Sequence, residues 1–285
     1  MIEKISIGGA QFGIDYGISN KEGIIPQTNL NKILDYAFSK GINSIDTAKS
    51  YGDSESKIGN YLKKRSSMWC VTTKVSNLDT SIEDQLENTK IKIGKIPDIT
   101  LAHSLELWRE NSFRYELNTL KRRGLIKKTG VSVYNKKEII NILNKPKDID
   151  VIQLPINILD TRLVKDDTIK SLHEQGIEIH ARSVFLQGMF FLSNSTIKSE
   201  FGEAFETIQF IKNIIKNQNL SLAEFSLLFV INLMPVSKVI IGIDSLTQLK
   251  SNIASIHRKI DSNIYDQALS LEFDNENILN PSLWK

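Results

Sequence analysis

The chain has 285 residues, 41% hydrophobic and 24% charged, enough for one large core or two medium domains in a soluble globular protein. Its 36 Lys and Arg against 33 Asp and Glu leave a formal charge of +3, too balanced to argue for a nucleic-acid or membrane-surface partner. One cysteine, Cys70, excludes an internal disulfide and suits a reducing cytoplasm, and no apolar run approaches the ~20 residues that span a bilayer.

In chain order, the first element is a strand over 4–9 (KISIGG), which begins too early to leave room for a signal peptide. A helix over 28–40 follows, with Thr28 as N-cap and Gly41 just past its end. Then come strand 42–47, helix 54–64, strand 69–75 (WCVTTKV), helix 80–93 capped by Thr80 or Ser81, and strand 98–103 after Pro97. Helix 111–123 stops at Gly124 and strand 128–133, helix 136–144, strand 150–154, helix 162–175 and strand 177–183 continue the alternation. A longer connection over about 188–203 interrupts it, before helices near 204–218 and 221–233, strand 238–242 and helix 245–256. The basic runs Lys63-Lys64-Arg65 and Lys121-Arg122-Arg123 fall at helix ends, where they complement the helix dipole.

Strands and helices that alternate without a composition break argue for parallel strands joined by crossover helices, and this length suits a (β/α)8 barrel of the TIM type. The whole of 1–285 then reads as one barrel domain, with 258–285 as a C-terminal tail at the substrate site. An open doubly wound sheet is the alternative, but Gly8-Gly9-Ala10-Gln11-Phe12-Gly13 is not its G-x-G-x-x-G turn.

A barrel of this type does its chemistry at the carboxyl ends of the strands. The polar residues there are Gln11, Asp46 with Tyr51, Lys74, His103, Ser132, Gln153, and Arg182 with Ser183. Singly, each has a bland reading: a solvated lysine, a capping aspartate, a satisfied core histidine, a loop tyrosine. Together at one rim, Tyr51 reads as a proton donor, Lys74 as the charge that makes a tyrosine a usable acid, Asp46 as the partner of Lys74, and His103 as a donor to a carbonyl oxygen. That set suits hydride addition to a carbonyl, with a cofactor supplying the hydride. No metal is expected: His173 and His180 in "HEQGIEIH" lack the H-E-x-x-H spacing.

These residues carry a resemblance. "GINSIDTAKSYGDSESKIG", "VTTKV" and "DITLAHS" are similar, in order, to the signature, lysine strand and histidine strand of the aldo-keto reductase superfamily, over nearly the whole chain. The resemblance implies a nicotinamide-dependent oxidoreductase whose catalytic tetrad falls on Asp46, Tyr51, Lys74 and His103. "GVSVYN" and "VIQLPIN" resemble its carboxamide-binding segments, giving Ser132 and Gln153, although Val133 replaces an asparagine. "HARSVFLQG" is similar to the strand-seven segment, which implies Arg182 in place of a stacking ring and Ser183, Phe185, Gln187 and Gly188 along the pyrophosphate. "IIGIDSLTQLKSN" resembles the adenosine element, implying Gly242, Asp244, Gln248 and Asn252. NADPH is the family default. Asp244, where a 2′-phosphate would lie, leaves NADH open. The substrate is expected to be a small carbonyl compound, polar and sugar-like, met by Gln11 after the first strand and by Trp108 and Trp284, with the loops 104–112 and 189–203 and the tail setting specificity. The tail "ENILNPSLWK" is similar to those of bacterial members linked to surface-sugar metabolism. Two other readings stay open: a nicotinamide-binding regulatory protein on the same barrel, and a lyase or isomerase using Lys74 as a Schiff base.

Overall fold

A computed structural model describes residues 1–63, 65, 68–143 and 149–284. The expected helix ends at Lys64 and Asn144 and the terminal Lys285 lie outside the described residues. Eight parallel strands pair in chain order and close on themselves: β1 Ile5–Gly8, β2 Ser44–Asp46, β3 Cys70–Val75, β4 Ile99–Ala102, β5 Lys128–Ser132, β6 Val151–Pro155, β7 Glu178–Arg182 and β8 Val236–Gly242. Helices link successive strands, as a (β/α)8 barrel requires.

Register decides what the barrel's interior contains. Side chains alternate along a strand, and level neighbours in parallel strands share a face. Gly8 is level with Asp46 and with Gly242, and Asp46 with Thr72. Lys74, two residues on from Thr72, is level with Leu101, and His103 lies two beyond that. Leu101 is level with Gly130, Ser132 with Gln153, and Gln153 with His180, two before Arg182. One face therefore carries every strand-borne polar residue named above. It is floored by Ile99, Leu101 and Val151, a small apolar cluster with Cys70 packed against it. The opposite face carries Ile7, Ile45, Val71, Val131, Ile152, Ile179 and Ile241, all buried in the main core under the helices.

The helix expected over 28–40 spans Gln27–Ser39 and follows Pro26, so Thr28 lies within it and is not its cap. Gly41 takes the left-handed conformation past its end, at φ +88°. The helix expected over 162–175 is broken into Arg162–Lys165 and Thr168–Glu174. Asp167 sits at φ +59°, and the Asp166 carboxylate accepts the Thr168 N–H at 3.0 Å, so an aspartate side chain replaces a helical bond. The long connection after β7 holds a tight turn over Leu186–Phe191 and a helix over Asn194–Glu200, capped by Ser193.

Candidate active site

Lys74 and Asp46 are both buried, with Lys74 Nζ 2.5 Å from Asp46 Oδ1. The ammonium also donates to the Thr47 carbonyl at 3.0 Å, and Asp46 Oδ2 accepts from Gln153 Nε2 at 2.8 Å. Burial works against the Lys74 charge. The Asp46 carboxylate more than offsets it, with help from Tyr51, and holds the ammonium above the usual lysine range. Two of its three N–H groups are thus committed, and Nζ lies 5.1 Å from the centre of the Tyr51 ring. His103 meets that ring edge-on at 6.0 Å.

Burial first, and then the nearby Lys74 charge, push His103 down to about 4, so the imidazole is neutral at physiological pH. Its Nδ1 lies 3.1 Å from Ser76 Oγ and 3.3 Å from Ser50 Oγ. Two hydroxyls able to donate there suit the tautomer that carries its proton on Nε2. Because the folded state refuses a proton that the unfolded chain accepts at about 6.5, stability should fall as pH drops from about 6.5 to about 4. The loss should be on the order of 2 kcal/mol, allowing for solvent screening at a half-buried site. Melting curves from pH 7 to 4.5 should show a shallower decline for His103→Gln; parallel declines would refute this.

The loop that carries Tyr51 is fixed by backbone contact. A Cβ at Gly13 would lie 1.9 Å from the Tyr51 carbonyl oxygen. Gly52, at φ +50°, comes as close on the other side: its Cβ would be 2.4 Å from the Gly13 carbonyl oxygen. The "SE" of the signature is scaffolding. Ser54 Oγ donates to the Gly9 carbonyl at 2.7 Å and meets Thr47 Oγ1 at 2.8 Å, while Glu55 accepts from Thr73 and Thr89.

The pocket above Lys74 is also walled by Ser132, Gln153, Arg182, Ser183, Phe185, Gln187 and Gly188, and on the β8 side by Gln11, Gly242, Asp244 and Gln248. Gln11 belongs to the β8 side, its side chain lying against Gly242, and burial raises the neighbouring Asp244 carboxyl above the usual range. Three of the residues expected at the site do not line this pocket. Trp108 is buried, its ring edge-on to Phe113 at 6.5 Å, because Ser104 caps a short helix that turns it into the core. Asn252 is buried one helical turn beyond Gln248, off the pocket wall, with Nδ2 unpartnered. Trp284 lies 4.8 Å from Phe201 and walls a second hollow with Glu203, Asn275 and Asn277, because the tail packs on the helices after β7.

Residues unmarked by the sequence reading also line the pocket: Tyr16, Gly17 and Ser19 from the loop after β1, and Tyr134. The Ile18 N–H donates to the Gln187 carbonyl at 3.0 Å, tying that loop to the one after β7. Ser183, Leu186 and Gln187 all have positive φ, between 44° and 58°. Such strain persists where surrounding structure imposes it, often at binding sites. Among the described residues no group of three or more His, Cys, Asp or Glu could hold a metal, and no helix is long and apolar enough to cross a membrane.

A family model described as the aldo/keto reductase family matches residues 4–271. Among solved structures, the chain is similar to the holo form of an aldo-keto reductase from Bacillus halodurans, at 18% identity and TM-score 0.75, covering 93% of this chain and 90% of that one. An aldo-keto reductase from Klebsiella pneumoniae in complex with NADP and acetate matches at 16% identity and TM-score 0.71, over 93% and 89%. A glycerol dehydrogenase from Gluconobacter oxydans matches at 18% and 0.71, over 93% and 90%. No curated protein matches the chain by sequence.

Proposed function

The chain belongs to the aldo/keto reductase family of nicotinamide-dependent oxidoreductases, and from that premise we propose that it reduces an aldehyde or ketone of a small, polar, sugar-like compound, with Tyr51 as the proton donor. The observation that carries this reading is the buried Lys74–Asp46 pair set beneath the Tyr51 ring. His103 Nε2–H holds the carbonyl oxygen toward the Tyr51 hydroxyl. The hydroxyl gives that oxygen its proton as the carbonyl carbon takes a hydride, so C=O becomes CH–OH. The charge left on the Tyr51 oxygen is met by the Lys74 ammonium, which Asp46 keeps in place. A reduced nicotinamide cofactor, when bound, supplies the hydride that no side chain can.

The residues present fit such a cofactor. Gly8, Gly9, Gly188 and Gly242 leave bare backbone along the pocket wall, and Asn252 Nδ2 and Gln11 Oε1 are buried without a protein partner. With its Nε2 on Asp46, Gln153 has Oε1 left to accept from a carboxamide, beside Ser132. Ser183, Phe185, Gln187 and Gly188 would hold the pyrophosphate, and Gly242, Asp244 and Gln248 the adenosine, with the buried Asn252 one helical turn behind them. The second hollow, walled by Phe201, Trp284, Asn275 and Asn277, suits the far end of a polar substrate, with 258–285 closing one barrel domain around the site. Half-buried Cys70 suits the reducing cytoplasm as its compartment. The Schiff-base reading is disfavoured: an amine held charged by Asp46 is not a nucleophile.

Isothermal titration with NADPH and NADH tests the reading; binding of neither overturns it. Asp244 should set the preference between them, since a carboxylate repels a 2′-phosphate and accepts from a ribose hydroxyl. Asp244→Ser is expected to tighten NADPH binding about tenfold and to weaken NADH binding, as the charged acceptor of the ribose hydroxyl is lost. An unchanged NADPH affinity would remove Asp244 from that role.

A further inference from the structure

We propose that Arg182 makes the site distinguish the two redox states of its cofactor, binding the reduced nicotinamide more tightly than the oxidised one. The proposal rests on the reductase reading above.

Arg182 ends β7 and faces the pocket. Its guanidinium is held on its edges and on one face. Nη2 donates to the Val133 carbonyl at 3.0 Å, and Nη1 to Ser183 Oγ at 3.1 Å. The Tyr134 ring covers one side, its centre 4.2 Å from Cζ. Nε is buried without a partner. With its edges tied and one face covered, the flat cation has its second face to offer to the pocket. Among the described residues no carboxylate forms a salt bridge with it, whereas the fully buried Lys74 on the facing wall is neutralised by Asp46. The charge of Arg182 adds, after burial and Lys74, to what keeps His103 neutral.

The walls divide the work. Asp46, Lys74 and His103 come from β2, β3 and the end of β4, while Ser132, Gln153 and Arg182 come from β5, β6 and β7. A carbonyl held by Tyr51 and His103 receives a hydride through the face of a flat ring lying on the other wall. Of the strand-borne groups on that wall, Arg182 is the flat one. A guanidinium stacks on a neutral, electron-rich ring. A reduced nicotinamide is such a ring, whereas the oxidised ring carries a positive charge, and like charges in a partly desolvated pocket repel. Different affinities for the two states bias the bound equilibrium toward the reduced cofactor, and expel the oxidised one after turnover.

Dissociation constants for NADPH, NADP+, NADH and NAD+ should be measured by titration calorimetry on the wild type, Arg182→Met and Arg182→Tyr, with folding checked by thermal melting. The wild type should bind the reduced form of whichever cofactor it prefers at least about tenfold more tightly than the oxidised form. Both variants should narrow that ratio, and Arg182→Tyr, which keeps a flat face, should retain more of the affinity for the reduced form. A wild-type ratio near one, or the same ratio in Arg182→Met, overturns the proposal while leaving the reductase reading intact; binding of no nicotinamide cofactor defeats both. If Arg182→Met instead raises KM for a carboxylated aldehyde over an uncharged one at constant ratio, Arg182 anchors an anionic substrate and the proposal fails.

Discussion

Lys74→Met should abolish measurable turnover and cost about 3–5 kcal/mol of stability, the range for removing one partner of a buried ion pair. Lys74 is 1% exposed and Asp46 4% exposed. Without the ammonium, Asp46 keeps Gln153 Nε2 as a donor but no countercharge. Adding Asp46→Leu should recover much of the stability, since the stranded carboxylate is gone, and none of the activity. Chemical denaturation of both variants beside a carbonyl-reduction assay checks this. A single variant that loses less than about 1 kcal/mol would mean that the pair is not the electrostatic anchor of the site.

Tyr51→Phe should separate chemistry from architecture. Among the described residues the Tyr51 hydroxyl has no hydrogen-bond partner, and its ring position is set by the Gly13–Gly52 contact, so the variant should fold and melt like the wild type. Turnover should fall by about 10²- to 10⁴-fold, the contribution of a positioned general acid, while cofactor affinity stays within about twofold. Near wild-type turnover at neutral pH would assign the proton to another group, and His103 would then be the one to vary.

The order of the strands, the closed barrel and the segments bearing Asp46, Tyr51, Lys74 and His103 were legible because alternation and strand ends are local properties. Less was legible where a contact comes from afar. Ser50 and Ser76, the hydroxyls at His103 Nδ1, carry no local signal of that role. Nothing local in the sequence marks the close approach of the Gly13 and Gly52 backbones. Trp108 and Trp284 look from the sequence like candidates for the pocket because they stand on specificity loops, but a short capped helix and the docked tail direct them elsewhere. The break at Asp166–Asp167 escaped the periodicity because both halves keep a helical pattern.

By itself the sequence determined the barrel and which residues end each strand, since hydrophobic periodicity and chain connectivity leave few other ways to bury so many alternating segments. Tertiary structure decided the partners. Gln153 reaches Asp46 across 107 residues of chain, and Arg182 lies over Tyr134 with, among the described residues, no carboxylate to neutralise it. Strand register sets those distances, and it is not written in the local pattern of any one strand.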